Sequence, residues 1–274
     1  KLHVGSIDVN IMTKLDKVNY KDGEELPIEH NDAHAALRGF ATSNLNSSLV
    51  LSAGMSPRLY SYVENFKDFF PDSYGILKKK IILKVSDFRS AFVQGKIFAA
   101  KGLWVSEYRI ESGVNCGGHC FPTQGVLFGP ILEEFRKNKQ TLFETCIELY
   151  KSALQKKEII QPAVTPEIKI TAQGGVGTAE EHNFLLDYYE LDGVGWATPF
   201  MLVPEVISID TETMNLLAKG KEDDYYYSGL SPLGVPFNSI KGASMSVQRL
   251  EMAKNGKAGT PCTKGFLKYN TEYT

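Results

Sequence analysis

The chain has 274 residues, 43% hydrophobic and 23% charged, with a formal net charge of −2, the balance of an ordinary globular protein. It carries no basic field to attract nucleic acid or an anionic membrane surface, and no apolar run near the roughly 20 residues that span a bilayer. Four cysteines, Cys116, Cys120, Cys146 and Cys262, are sparse for a disulfide scaffold, which predicts a reduced cytoplasmic protein, with no signal peptide before the first strand.

Six short runs read as strands in chain order: "HVGSIDVNIM" (3–12), "SLVLSAG" (48–54), "KIILKV" (80–85), "LWVSEYRI" (103–110), "IKITAQGG" (168–175) and "GVGWATPF" (193–200). Amphipathic stretches lie between them. In "SPRLYSYVENFKDFF", Ser56 caps a helix with Pro57 in its first turn, and Leu59, Tyr62, Val63, Phe66 and Phe70 share a face. Phe88, Ala91, Phe92, Gly95 and Phe98 form the stripe of "DFRSAFVQGKIFAAKG". Leu142, Cys146, Leu149, Ala153 and Leu154 form that of "TLFETCIELYKSALQKK". Strands alternating with helices predict parallel βα units. After about residue 205 the strand rhythm stops; "DTETMNLLAKGK" reads as a helix, followed by the Pro/Gly-rich "SGLSPLGVPFNSIKGAS". The expected organisation is an incomplete (β/α) barrel over 1–205, a helix and Pro/Gly-rich segment packed on it over 206–250, and a tail or link to a missing region over 251–274.

Two local patterns carry chemistry. In "AQGGVGTAEEHNFLL", Gly174, Gly175 and Gly177 make a turn, and Thr178 with Glu181 forms a capping box that starts a helix. Such a turn is either an anion cradle for phosphate or a plain tight strand-to-helix join; Glu180 and Glu181 help the helix but not a phosphate. Thr198, on the next strand's exit, either donates to the phosphate or bonds the local backbone. The second pattern is "GVNCGGHCFPTQG" (113–125). It is open to a metal site on Cys116, His119, Cys120 and Cys262, a Cys116–Cys120 disulfide, a Cys116 nucleophile beside His119, a structural loop, or a floor for a flat ligand.

Taken in order, these stretches resemble the flavin-dependent nitronate monooxygenases (the 2-nitropropane dioxygenase family) and the related flavin-dependent enoyl-acyl-carrier-protein reductases. "VNIM", "LVLSAGMSPRLY", "CGGH", "AQGGVG", "GVGWATPFMLVPE" and "SPLGVPFNSIKG" each resemble a family segment, over roughly residues 3–245. The resemblance implies an α/β fold of the (β/α)8 TIM-barrel type that binds FMN. It implies His119 as the acid/base beside the flavin, with Gly117 and Gly118 at the ring edge. Gly174, Gly175, Ala197 and Thr198 would hold the phosphate and Asn10 would reach the cofactor; Lys84 and Gln173 join the cofactor-binding set by strand position alone. It further implies a small-molecule substrate, a nitronate or an enoyl thioester, with NAD(P)H as a possible electron donor. Two departures stand out. Ala197 replaces a family glycine, and the likeness begins at the third strand, so about six of eight parallel strands are expected. The expected reading is a fragment of a longer protein or a missing N-terminal segment bound as a separate chain, with a homo-oligomer as the other expected partner. Two rivals stay open: a barrel lyase or isomerase using the cradle for a substrate phosphate, and a degenerate barrel serving as an interaction scaffold.

Overall fold

The computed structural model describes residues 5–13, 16–52, 54–111, 128–174, 176, 178–196, 203, 209–229 and 237–258. The chain divides into two compact units, Lys1–Gly195 and Trp196–Thr274.

The first unit is a parallel sheet with its helices. Besides a two-residue antiparallel pair, Tyr20–Lys21 with Glu24–Glu25, its elements are β1 (Val9–Met12), α1 (Asp32–Thr42), β2 (Ser48–Ser52), α2 (Pro57–Val63), β3 (Lys80–Val85), α3 (Phe88–Ala100), β4 (Val105–Glu111), α4 (Phe128–Lys156), β5 (Lys169–Gln173), α5 (Ala179–Tyr189) and β6 (Gly193–Gly195). The six strands pair in chain order, all parallel. Each of the six sequence runs therefore holds a strand, although β1 starts at Val9 rather than His3. Alternate residues of the strands, Ile11, Leu49, Leu51, Ile81, Leu83, Ile110, Ile170 and Ala172, enter one apolar cluster with Leu37, Val63, Phe98, Phe135 and Leu185 from the five helices. All the helices thus cover the same face. A doubly wound sheet reverses its strand order and is covered on both faces. This singly wound sheet is compatible with six consecutive units of a (β/α)8 wall.

Local chemistry sets the helix ends. The Ser56 hydroxyl accepts from the Leu59 amide at 3.4 Å and Pro57 opens α2. This helix ends at Val63, earlier than its sequence stripe implies, and a 3₁₀ turn over Lys67–Phe69 follows. Tyr60 takes a core position with Leu59 and Val63, and Tyr62 is only partly buried. Asp87 caps α3 through the Ser90 amide at 2.6 Å. Helix α4 is 29 residues long, reaching well upstream of the stripe read at Leu142, and buries Ile131, Leu132 and Phe135 there.

In the second unit, α6 (Thr211–Lys219) is capped by Asp210, which accepts from the Thr213 amide at 2.8 Å. The Ser244 hydroxyl also donates to Asp210, at 2.6 Å, and these hydrogen bonds hold its carboxyl down at about 2. Strands do not stop here: β7 (Tyr225–Ser228) pairs antiparallel with β8 (Phe237–Ile240), and α7 (Ser244–Lys254) follows. The run "YYYS" suits a pleated surface despite its acidic lead-in.

Candidate functional site

The C-terminal edge of the parallel sheet collects the polar chemistry. Side chains alternate across a strand, so residues that do not enter the apolar cluster face the opposite side. On that side lie Asn10 of β1, Ser52 of β2, Lys84 of β3, Thr171 and Gln173 of β5, and the glycines of β6. Strand β4 would break the pattern if it were regular, because Val105 faces the helices and residues two, four and six further on would follow it. The register shifts at this point: Ile81 pairs with Val105, but Ile82 pairs with Glu107. Ser106 is the extra residue of a β-bulge. It inverts the phase, so Tyr108 and Ile110 enter the core while Glu107, Arg109 and Glu111 turn to the polar face.

The bulge builds two linked charge clusters. Glu111 accepts from the Lys84 ammonium at 2.5 Å, and their side chains are 14% and 18% exposed. The Gln173 carboxamide donates to the same Glu111 oxygen. One residue pair lower, Glu107 accepts from Arg109 Nε at 2.9 Å and from the Thr171 hydroxyl at 2.6 Å. Two carboxylates face two cations, so the formal charge of the two clusters balances. Asn10 takes a separate partner, accepting from the Ser52 hydroxyl at 2.8 Å.

Beside this face the chain turns from β5 into α5. Gly174 has φ +82°, a conformation that favours glycine, and its amide donates to the Gly195 carbonyl at 3.2 Å. The capping box is present: the Glu181 amide donates to the Thr178 hydroxyl at 3.2 Å, and the Thr178 amide to the Glu181 carboxylate at 3.1 Å. Three amides around the turn are therefore committed to protein acceptors. A phosphate there would rely on the donors between them. Gly195 is small for a local reason, since a Cβ there would sit 3.1 Å from Gln173 Cβ.

Of the residues singled out by sequence, Lys84 and Gln173 come together on Glu111, Asn10 lies on the same face, and Gly174 forms the adjacent turn. His119, Gly117, Gly118, Gly175, Ala197 and Thr198 lie outside the described residues, as do Cys116, Cys120 and Cys262. Cys146 is a buried free thiol, and burial pushes its pKa up. Among the described residues, no three His, Cys, Asp or Glu side chains gather as a metal site, and no helix is long and apolar enough to cross a membrane. The residues that sequence reading missed are Glu107, Arg109, Glu111, Thr171 and Ser52. Their signal is the charged alternation Glu107-x-Arg109-x-Glu111 across an otherwise apolar strand. No family model matches the chain, and no curated protein matches it.

Proposed function

We propose that the chain is an FMN-dependent oxidoreductase acting on a small molecule, built on the wall of a (β/α)8-type barrel. One observation carries this reading. Asn10, singled out by resemblance to flavin enzymes, and Lys84 and Gln173, placed by strand position, stand on three separate strands and share one polar face at the C-terminal edge of a singly wound parallel sheet, the last two on a single carboxylate. That edge is where enzymes of this architecture hold their ligands.

The described residues fit the ring end of a flavin. Lys84 keeps N–H groups beyond the one given to Glu111, and Gln173 keeps its carbonyl oxygen, so a planar heterocycle with alternating donors and acceptors meets complementary groups. Lys84 and Gln173 would hold the ring, with Asn10 beside them. The phosphate would fall to the 174–178 turn and to Ala197 and Thr198. Bound FMN would supply two-electron chemistry at its ring. His119 would take or return the proton at the substrate carbon, a role suited to an imidazole near neutral pH.

The test is to purify the product of the full-length gene, record its visible spectrum, and add NADH or NADPH anaerobically. A yellow protein bleached by a nicotinamide, with turnover of a nitronate or enoyl thioester lost in His119→Ala, is the expected result. A colourless protein that takes up no added FMN refutes the reading. Binding of a sugar phosphate by that colourless protein would assign it to the lyase and isomerase class.

A further inference from the structure

We infer that Glu111 is a positioning residue, which fixes Lys84 as a donor and the Gln173 carbonyl as an acceptor aimed at the acceptor–donor edge of a planar imide. The inference rests on the flavin reading for the identity of the ligand, but the clamp itself is a property of the unliganded protein.

The argument begins with what a carboxylate does. It accepts hydrogen bonds and donates none. Gln173 reaches Glu111 through Nε2, so the orientation of its amide is not a free choice. The NH2 must face the carboxylate, and Oε1 points away from it within the same amide plane. A glutamine without such a neighbour presents either end and reads nothing. Lys84 comes to the same oxygen from the strand on the opposite side, at 2.5 Å. Its long, rotatable stem is thereby held in one place, with its remaining N–H groups free to donate away from Glu111. Both charged side chains are largely removed from water, at 18% and 14% exposure, where an ion pair is a weak source of stability compared with apolar packing. The three residues belong to adjacent strands β3, β4 and β5, and Glu111 pairs directly with Gln173 in the sheet register. The result is one fixed donor and one fixed acceptor flanking a single carboxylate. A carbonyl next to an N–H, as on the pyrimidine edge of a flavin, is the pattern these two groups complement.

The experiment uses the full chain in Glu111→Leu and Lys84→Met forms. In the unliganded protein, side-chain ¹H–¹⁵N spectra should show the two Gln173 amide protons widely separated and slow to exchange. Glu111→Leu, which offers Gln173 no acceptor, should collapse that separation, and Lys84→Met should leave it in place. The protein is then titrated with FMN and with N3-methyl-FMN, followed by flavin fluorescence. The wild type should prefer FMN by about tenfold, the effect of one hydrogen bond to a buried group. Glu111→Leu should bind FMN about tenfold more weakly and lose the preference. An unchanged Gln173 spectrum in Glu111→Leu overturns the clamp. An unchanged N3-methyl preference in that variant overturns it as well, while leaving the flavin reading intact. If the wild type binds neither flavin but the amide spectrum responds as expected, the flavin reading fails and the clamp stands.

Discussion

The space around one helical glycine of the first unit gives a prediction whose sign can be worked out in advance. Gly95 lies in the interior of α3 and is buried. A Cβ built on it would sit 2.2 Å from the Tyr108 hydroxyl oxygen, 3.2 Å from Cys146 Sγ and 3.3 Å from Tyr108 Cζ. Tyr108 is fully buried on β4, and its hydroxyl lies beside the Cys146 thiol without meeting hydrogen-bond geometry. Two effects compete in Gly95→Ala. Replacing a mid-helix glycine gains about 0.5–1 kcal/mol of helix stability. Forcing a methyl into a filled core costs about 1–3 kcal/mol. At 2.2 Å the second wins, because neither the ring nor the strand that carries it has space to retreat. The expected net loss is about 1–2 kcal/mol, or a Tm lower by roughly 2–8 °C. Tyr108→Phe removes the clashing oxygen and a buried hydroxyl that lacks a partner, so alone it should be neutral or slightly stabilising. In that background Gly95→Ala should recover its helical gain, and the cycle should show a coupling of about 1 kcal/mol or more. Thermal melts of the four proteins decide it. A Gly95→Ala protein that melts above the wild type, or a cycle without coupling, would refute the packing argument.

Tyr60, whose hydroxyl donates to Gln94 Oε1 at 2.5 Å, has its pKa pushed up to about 12 by burial, from 10.0. The unfolded chain therefore loses this proton first, and stability should fall between about pH 10 and about pH 12; urea midpoints should show a shallower alkaline slope in Tyr60→Phe than in the wild type. Lys79 is buried and donates to the carbonyls of Ser43 at 3.0 Å and Leu45 at 2.8 Å, just past the end of α1. Lys79→Met leaves both without that donor and should cost about 1–3 kcal/mol in denaturant titrations. Thr178→Ala removes one arm of the capping box and should cost about 1 kcal/mol, with faster amide exchange confined to the first turn of α5.

The strands were readable because each is a short β-branched or apolar run with a helical pattern behind it, and such patterns depend only on neighbours in the chain. The caps at Ser56 and Thr178 were readable for the same reason, since both bonds of a cap close within three residues. Tyr60 was missed because a stripe through Leu59 and Val63 can include either Tyr60 or Tyr62 at helical spacing, and packing rather than the 3.6-residue period decides which is buried. The strands after residue 220 were missed because each is four residues long and stabilised by its partner rather than by its own pattern. In the site, Lys84 and Gln173 were placed by strand position, whereas Glu111 was not found. The apolar alternation of its strand gives no sign of continuing past Ile110, and only the third dimension brings the carboxylate between its two neighbours.

The Ser106 bulge links the fold to the site. Without it, Glu107, Arg109 and Glu111 would stay in phase with Val105 and enter the helical face among Leu83, Phe98 and Phe135. Burying three charged groups there would cost far more than the marginal stability of a domain allows. With the extra residue, the same strand sends Tyr108 and Ile110 into the core and its charges to the opposite face. The phase inversion thus satisfies two requirements with one insertion. It keeps the apolar cluster continuous across β4, and it puts a carboxylate where Lys84 and Gln173 from either side can reach it. The bulge lies near the N-terminal end of β4 and Glu111 at its C-terminal end, so the strand between them transmits the choice of face. Deleting Ser106 would therefore damage the core and the polar face together, whereas Glu111→Gln changes the face alone.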